Sequence, residues 1–282
     1  MKKQRLLISA ALGAVLAGWL WWGNSALMTS EYKITGNRVP EPFDGFRIAQ
    51  ISDLHNASFG RENEKLLSML EETCPDVSVL TGDLVDCRNL NIPVALSFAE
   101  KAAKIAPCYY VTGNHESRIS ELPELLTGLT AAGVTVLRNE STVLERSGET
   151  VTLLGLDDPA FRSDYMVGDS GPVLTAALEE LVTRDLGYTI LLSHRPEWFR
   201  LYGEYGMDLV FSGHAHGGQF RIPFVGGVVA PNQGFFPEYD AGVFTQNPMS
   251  MVVSRGLGPS IIPLRINNRP EIVVAELHRQ ED

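Results

Sequence analysis

Cysteine is scarce in this chain, with three in 282 residues. Cys74, Cys87 and Cys108 are odd in number and show no C-x-x-C spacing, so neither a disulfide framework nor a thiolate zinc site has support. All three read as structural residues. Basic residues are also short, 23 Lys and Arg against 34 Asp and Glu, for a net charge of −11. Nucleic acid is bound through clustered cations, so no nucleic-acid partner is expected. Internal repeats, low-complexity tracts and twin arginines are absent, and a twin-arginine export route has no support.

Charge is missing altogether from one stretch. Leu6 to Trp22 runs seventeen residues without a charged side chain, after Lys2, Lys3 and Arg5 and closing on Trp19, Trp21 and Trp22. A membrane span needs ~20 apolar residues, a length approached when the run is extended to Leu27 and Met28. The tryptophans suit an interfacial aromatic belt, and "GNSALM" offers no A-x-A cleavage site. Residues 1–28 therefore read as a retained membrane anchor, with a cleaved signal segment and a secreted product as the alternative. The basic start places the N-terminus in the cytoplasm and everything from about Thr29 onward outside it. Without this segment the body holds 20 Lys and Arg against 34 Asp and Glu, a net −14.

What remains has ordinary globular composition, 44% hydrophobic and 20% charged. Short apolar, β-branched runs predict strands at Phe46 to Ile51, Asp76 to Leu80, Cys108 to Val111, Tyr188 to Leu192 and Asp208 to Phe211. Amphipathic stretches predict helices over Glu62 to Thr73, Pro93 to Ala106 and Glu121 to Ala132. Their alternation argues for an α/β unit with a mainly parallel sheet. From Val134 the pattern turns to hairpin-like runs, "VTVLRNESTVLE" and "TVTLLGL", and later to Gly-rich strands through "EIVVAEL", which predicts a second sheet packed on the first. The only linker expected is about Thr29 to Tyr32.

Five of the six histidines stand just past a predicted strand: His55, His115, His194, His214 and His216. Asp53, Asp83 and Asn114 occupy the same kind of position. In an open α/β sheet the carboxyl ends of the strands converge on one edge, where ligand sites form. The i, i+2 spacing of Asp53 with His55, and of His214 with His216, points each pair one way if the segment is still extended. Eight such groups exceed the needs of one ion and suit two. Oxygen and nitrogen donors without thiolate favour manganese, iron or zinc over copper. Two ions about 3.5–4 Å apart need a bridging oxygen ligand, and Asp83 is the natural one. Gly82 and Gly113 would let the chain turn tightly past each strand.

The series D-x-H (Asp53, His55), G-D-x-x-D (Gly82, Asp83, Asp86), G-N-H-E (Gly113 to Glu116), a lone His194 and G-H-x-H (Gly213 to His216) resembles the calcineurin-like metallophosphoesterase superfamily. "SDLHNASFG", "LSHRPE", "SGHAHGGQFRIP", "APNQGFFPEYDAG" and "SRGLGPSIIPLRINNRPEIVV" extend the likeness, over roughly residues 31 to 277, to a bacterial branch of anchored or exported phosphodiesterases. The resemblance implies a four-layer αββα sandwich of two packed mixed sheets over residues 29–282, with a dinuclear site at the strand carboxyl ends. It implies that one metal takes Asp53, His55, Asp83 and His216, and the other Asp83, Asn114, His194 and His214. Hydrolysis would follow attack on phosphorus by a hydroxide held between the metals. His115 is then the candidate to protonate the leaving oxygen. Asp86 would orient a ligand from behind, and Arg118 or Arg255 would bind a phosphate. Asp157 and Asp158 read as a loop cap and not a third metal site.

An outward-facing anchored domain meets lipid-linked and cell-envelope phosphate esters first, so phosphodiester or pyrophosphate substrates are expected. The alternatives are a phosphomonoesterase or protein phosphatase, and a catalytically silent binding scaffold of the same fold.

Overall fold

The computed structural model describes residues 2–162, 170–246, 248–259 and 262–280. Strands β1 (Met28–Gly36), β2 (Arg47–Ile51), β3 (Val77–Thr81), β4 (Cys108–Val111) and β5 (Val134–Val136) precede β6 (Glu140–Arg146), β7 (Glu149–Gly155), β8 (Thr189–Leu192) and β9 (Leu209–Ser212). Two short pairs follow, β10 (Arg221–Ile222) with β11 (Gly226–Gly227) and β12 (Val229–Ala230) with β13 (Gly234–Phe235). The chain closes with β14 (Gly242–Gln246), β15 (Met249–Val253) and β16 (Glu271–Arg279). The helices are α1 (Lys2–Ser25), α2 (Glu64–Glu72), α3 (Ile92–Ile105), α4 (Leu122–Ala131), α5 (Gly171–Leu181) and α6 (Phe199–Glu204).

One six-stranded sheet has the order β1-β16-β2-β3-β4-β5 and the other β14-β15-β9-β8-β7-β6. Both are mixed. In the first, β2 to β5 are parallel and β16 runs antiparallel to β2. In the second, β7, β8, β9 and β15 are parallel, with β6 and β14 antiparallel at the edges.

The period-2 alternation of strand side chains builds the layers. Ile48 and Val79 of the first sheet meet Leu153, Ile190, Leu192 and Phe211 of the second in a core between the sheets. Their neighbours Ala49 and Leu80 turn outward to Leu66, Phe98 and Leu129 of α2, α3 and α4. Leu154, Leu191 and Val210 turn the other way, onto Leu178, Phe199 and Tyr202 of α5 and α6. The result is the four-layer αββα sandwich that the resemblance implied.

Three details depart from the pattern read along the chain. "VTVLRNESTVLE" is not a hairpin: β5 completes the first sheet and β6 opens the second, so the hairpin is β6 with β7. "EIVVAEL" lies in β16, which returns to the first sheet between β1 and β2. Local pattern marks both runs as strands and carries no information about which sheet each joins. Finally, Met28–Gly36 pairs residue for residue with Glu271–Arg279, so the expected linker at Thr29 to Tyr32 is strand.

Candidate metal centre

Five strands deliver the candidate ligands from their carboxyl ends. β2, β3 and β4 in one sheet and β8 and β9 in the other end at Ile51, Thr81, Val111, Leu192 and Ser212, and Asp53, Asp83, Asn114, His194 and His214 follow two or three residues later. Gln50 ties the two rims together, its Nε2 donating to Thr81 Oγ1 at 2.9 Å and to the Ser212 carbonyl at 2.8 Å.

Turns, not extended backbone, aim the side chains. Asp53, His55, Asp83, His214 and His216 all have φ between 46° and 64°. The strands have already ended at these points, so left-handed turns, and not the i, i+2 spacing of an extended strand, bring Asp53 and His55 together. Such backbone costs ~1–3 kcal/mol per residue and persists where surrounding contacts hold it. The glycines act in two ways. Gly82 has φ +88°, as a tight turn requires, and a Cβ there would lie 2.7 Å from Gly113 N. Gly113 and Gly213 serve close approach instead, because a Cβ on either would overlap Asp83 or the Ser52–Asp53 pair.

All seven candidate ligands are buried. Asp53, His55 and His216 form one group able to hold a metal ion, and Asp83, His194 and His214 a second. In the first, Asp53 Oδ1 and His216 Nε2 are 3.3 Å apart, as are His55 Nε2 and His216 Nε2. In the second, His194 Nε2 lies 3.2 Å from both Asp83 Oδ2 and His214 Nδ1. Asp83 Oδ2 also stands 3.5 Å from His55 Nε2, so this carboxylate faces both groups. Asn114 Oδ1 is buried without a hydrogen-bond partner among the described residues. Imidazole nitrogens converging on carboxylates, beside an orphaned amide oxygen, suit divalent cations of the manganese, iron and zinc type.

Burial and mutual charge set the proton affinities here. Burial, aided by Asp83, pushes Asp53 up to about 6. Burial acts on Asp83 in the same sense, but His194 and His55 outweigh it and hold that carboxyl well below the usual range. Burial opposes charge on His194, and Asp83 beside it prevails, raising the ring to about 10. His55 falls to about 4, chiefly through burial, and His214 and His216 are also driven down by it.

The sequence profile described as calcineurin-like phosphoesterase matches residues 46–218. The chain belongs to this family. An uncharacterised metallophosphoesterase of Bacillus subtilis, YkuE, is 32% identical over 98% of this chain and 99% of its own length. Phosphodiesterase YaeI of Escherichia coli is 30% identical over 82% of each chain. A zebrafish (Danio rerio) transmembrane protein with a metallophosphoesterase domain is 31% identical over 86% of this chain and 55% of that one. Among solved structures, TT1561 of Thermus thermophilus superposes with a TM-score of 0.52 at 14% identity, over 75% of this chain and 90% of that one, a likeness of fold. This chain is thus a metal-dependent phosphoester hydrolase.

Around the centre of this phosphoesterase, His115 stacks edge-on against His55 with ring centroids 4.4 Å apart. Its Nδ1 accepts from Cys87 N–H at 3.1 Å and lies 3.3 Å from Asp86 Oδ1. Burial works to raise Asp86, and its bonds to Arg88 outweigh that, holding it at about 2. Arg118 lies exposed on the turn after His115. Arg255 is not brought to the centre: its backbone N–H donates to Glu271, its Nη1 reaches Met28 Sδ at 3.9 Å, and its side chain lines cavities beside the end of α1. The three cysteines are free, Cys108 buried and Cys74 exposed.

Two contributors were not singled out from the sequence. Glu116 is wholly buried and accepts the backbone N–H groups of Asp83 (3.0 Å), Gly113 (2.8 Å) and Val85 (3.3 Å), pinning two ligand loops. Arg195 is 2% exposed and donates through Nε and Nη2 to Asp158 at 2.5 and 2.8 Å. Its Nη1 lies 2.9 Å from Asn232 Oδ1 and 3.1 Å from His214 Nε2. Asp158 does cap a turn, accepting Ala160 N–H at 2.9 Å, and it also holds this arginine. Asp157 takes Arg138 and Thr112. The available signals were a carboxylate inside G-N-H-E and an arginine directly after a strand-end histidine, "SHR".

Proposed function

We propose that this phosphoesterase hydrolyses phosphodiester or pyrophosphate bonds of cell-envelope or lipid-linked substrates, using two divalent ions drawn from manganese, iron or zinc. The observation that carries the reading is the position of Asp83, one carboxylate within 3.5 Å of a histidine of each group. Asp53, His55, Asp83 and His216 would hold one ion, and Asp83, Asn114, His194 and His214 the other. Such ions, when bound, neutralise phosphoryl oxygens and lower the pKa of water beside phosphorus.

The chain's own share is orientation and proton handling. His194 Nδ1–H donates to the Thr81 carbonyl at 2.7 Å, which leaves Nε2 to face Asp83. His214 Nε2–H donates to Asn232 Oδ1 at 2.9 Å, which leaves Nδ1 for the centre. His115, whose Nδ1 accepts from Cys87 N–H, presents Nε2–H as the donor to a leaving oxygen. Arg118, on the exposed turn beside it, would bind a substrate phosphate. α1 would anchor the domain, with everything after it outside the cytoplasm.

Full-length protein supplied in turn with manganese, iron and zinc tests the reading. It should hydrolyse bis-p-nitrophenyl phosphate, and a panel of glycerophosphodiesters and nucleotide-sugar lipids should then rank the natural ester. Asp83→Asn should lose metal and at least ~100-fold in turnover, since even groups behind a ligand are worth 10–100-fold. Wild-type protein that leaves every diester and pyrophosphate intact with all three ions overturns the proposal.

A further inference from the structure

Outside α1, eight large apolar side chains are exposed among the described residues, and seven fall between Ile222 and Ile262. Phe224 is 109% exposed at the tip of the β10–β11 turn, with Val225 beside it at 62%. Phe235 and Phe236 follow at 77% and 62%, on and just after β13. Phe224 and Phe236 also adopt φ of 66° and 55°, a left-handed backbone that bulky residues rarely take. Neither folding nor backbone conformation favours phenylalanine at these points.

The same face meets α1. The helix is apolar and long enough to cross a membrane, and only Ala26 and Leu27 separate it from β1. Its end is fixed to the body: Asn24 donates to the Arg265 carbonyl at 3.0 Å and accepts Arg265 N–H at 2.7 Å. Arg269 donates to the Ala26 and Leu27 carbonyls, and its guanidinium lies 4.6 Å over Trp22. A cavity of ≈ 240 Å³ between Trp19, Trp22 and Arg269 shares Arg255 and Asn267 with the cavity walled by Ile222, Phe224 and Val225. The helix end and the apolar tips are therefore neighbours, and a span fixed in this way cannot enter a bilayer without bringing that face to its surface.

We infer that the tips at Ile222–Val225 and Phe235–Phe236 are a second bilayer contact, seated in the lipid interface beside the tryptophan end of α1. Phenylalanine on a protruding turn suits the boundary of headgroups and acyl chains, and the partly exposed Arg255 and Arg269 beside the helix end suit lipid phosphates. The hairpin carrying Phe235 also walls, through Val229 and Ala230, a slot of ≈ 210 Å³ beside His216. Seating the tips turns this slot toward the membrane surface. The inference rests on α1 entering the bilayer and is independent of the ester hydrolysed.

The test uses the full chain in nanodiscs. An environment-sensitive fluorophore is attached at Phe224→Cys or Phe235→Cys in a Cys74→Ser, Cys87→Ser background. The control is the Cys87→Ser chain labelled at Cys74, at the opposite end of the strands. Brominated lipids report Trp19, Trp21 and Trp22 independently. Labels at 224 and 235 should shift to the blue and lose more than half their intensity to nitroxide lipids, while the Cys74 label keeps its intensity. Quenched tryptophans with labels at 224 and 235 as unquenched as Cys74 would overturn the contact and leave the anchor standing. Tryptophans that escape quenching would remove both. A blue shift that grows with protein concentration and ignores nitroxide lipid would assign the face to a second copy of the chain and equally overturn the proposal.

Discussion

Replacing Asp158 by Asn removes one charge and almost no volume from a buried ion pair. Arg195 and Asp158 are 2% and 0% exposed at the side chain, and the carboxylate meets the guanidinium through both oxygens. Breaking such a pair from one side costs about 3–5 kcal/mol, because the remaining charge stays buried without its counterion. Asn keeps an oxygen for Ala160 N–H, so the turn cap survives. Glu197 Oε1, 3.5 Å from Arg195 Nη1, remains as a partial counterion, which places the expected loss near the lower bound, about 3 kcal/mol. At about 2–4 °C per kcal/mol for a chain of this size, the melting temperature should fall by about 6–12 °C. Thermal melts of metal-loaded protein, followed by circular dichroism, give the number directly. The double variant Asp158→Asn/Arg195→Met, which removes both charges and keeps the turn cap, should recover most of the loss. A single variant melting within about 2 °C of wild type would show that the pair contributes nothing as a charge clamp, and the reasoning would fail.

Other consequences are as direct. His115→Ala should retain both metals by elemental analysis while turnover drops ~10²–10⁴-fold, the usual range for a general acid; metal lost together with activity would make the residue structural. Gly213→Ala forces a methyl onto Ser52 Oγ, whose bond to Asp53 Oδ2 at 2.6 Å must then break. Overpacking of this kind costs ~1–3 kcal/mol, so reduced metal content and a lower melting point are expected, and an unaltered metal titration would contradict the close-approach argument. Thiol accessibility should sort by burial: at pH 8 Cys74 reacts first, whereas burial pushes the Cys108 thiol up to about 12, leaving it protonated. The pKa shift itself makes the sign plain, since a thiol above the working pH holds its proton and is a poor nucleophile; Cys108 alkylated in the native state as fast as Cys74 would refute it.

Much of the site was legible because its ingredients are local. Asp53, Asp83, Asn114, His194 and His214 each announce themselves at the end of an apolar, β-branched run, and the αββα class follows from the alternation of such runs with amphipathic helices together with the family motifs. The face on which Val79 or Leu80 is buried also follows from period two alone. Local pattern could not show which sheet receives a strand, so β5 and β16 fall in the first sheet and not the second, nor could it show that the candidate-ligand segments had already left extended geometry. The left-handed backbone at Asp53 and His216 is imposed by neighbours far away in sequence. Arg195 and Glu116 looked unexceptional because their roles consist of partners: a carboxylate 37 residues away for one, backbone N–H groups up to 33 residues away for the other. The chain by itself determined the chemical inventory and the elements that carry it, since side-chain type and hydrophobic period are properties of neighbouring residues. Only the packing of one sheet on the other decided which histidines converge on Asp83, which charges are buried together, and which phenylalanines stay exposed beside α1, because those distances exist only once remote segments have met.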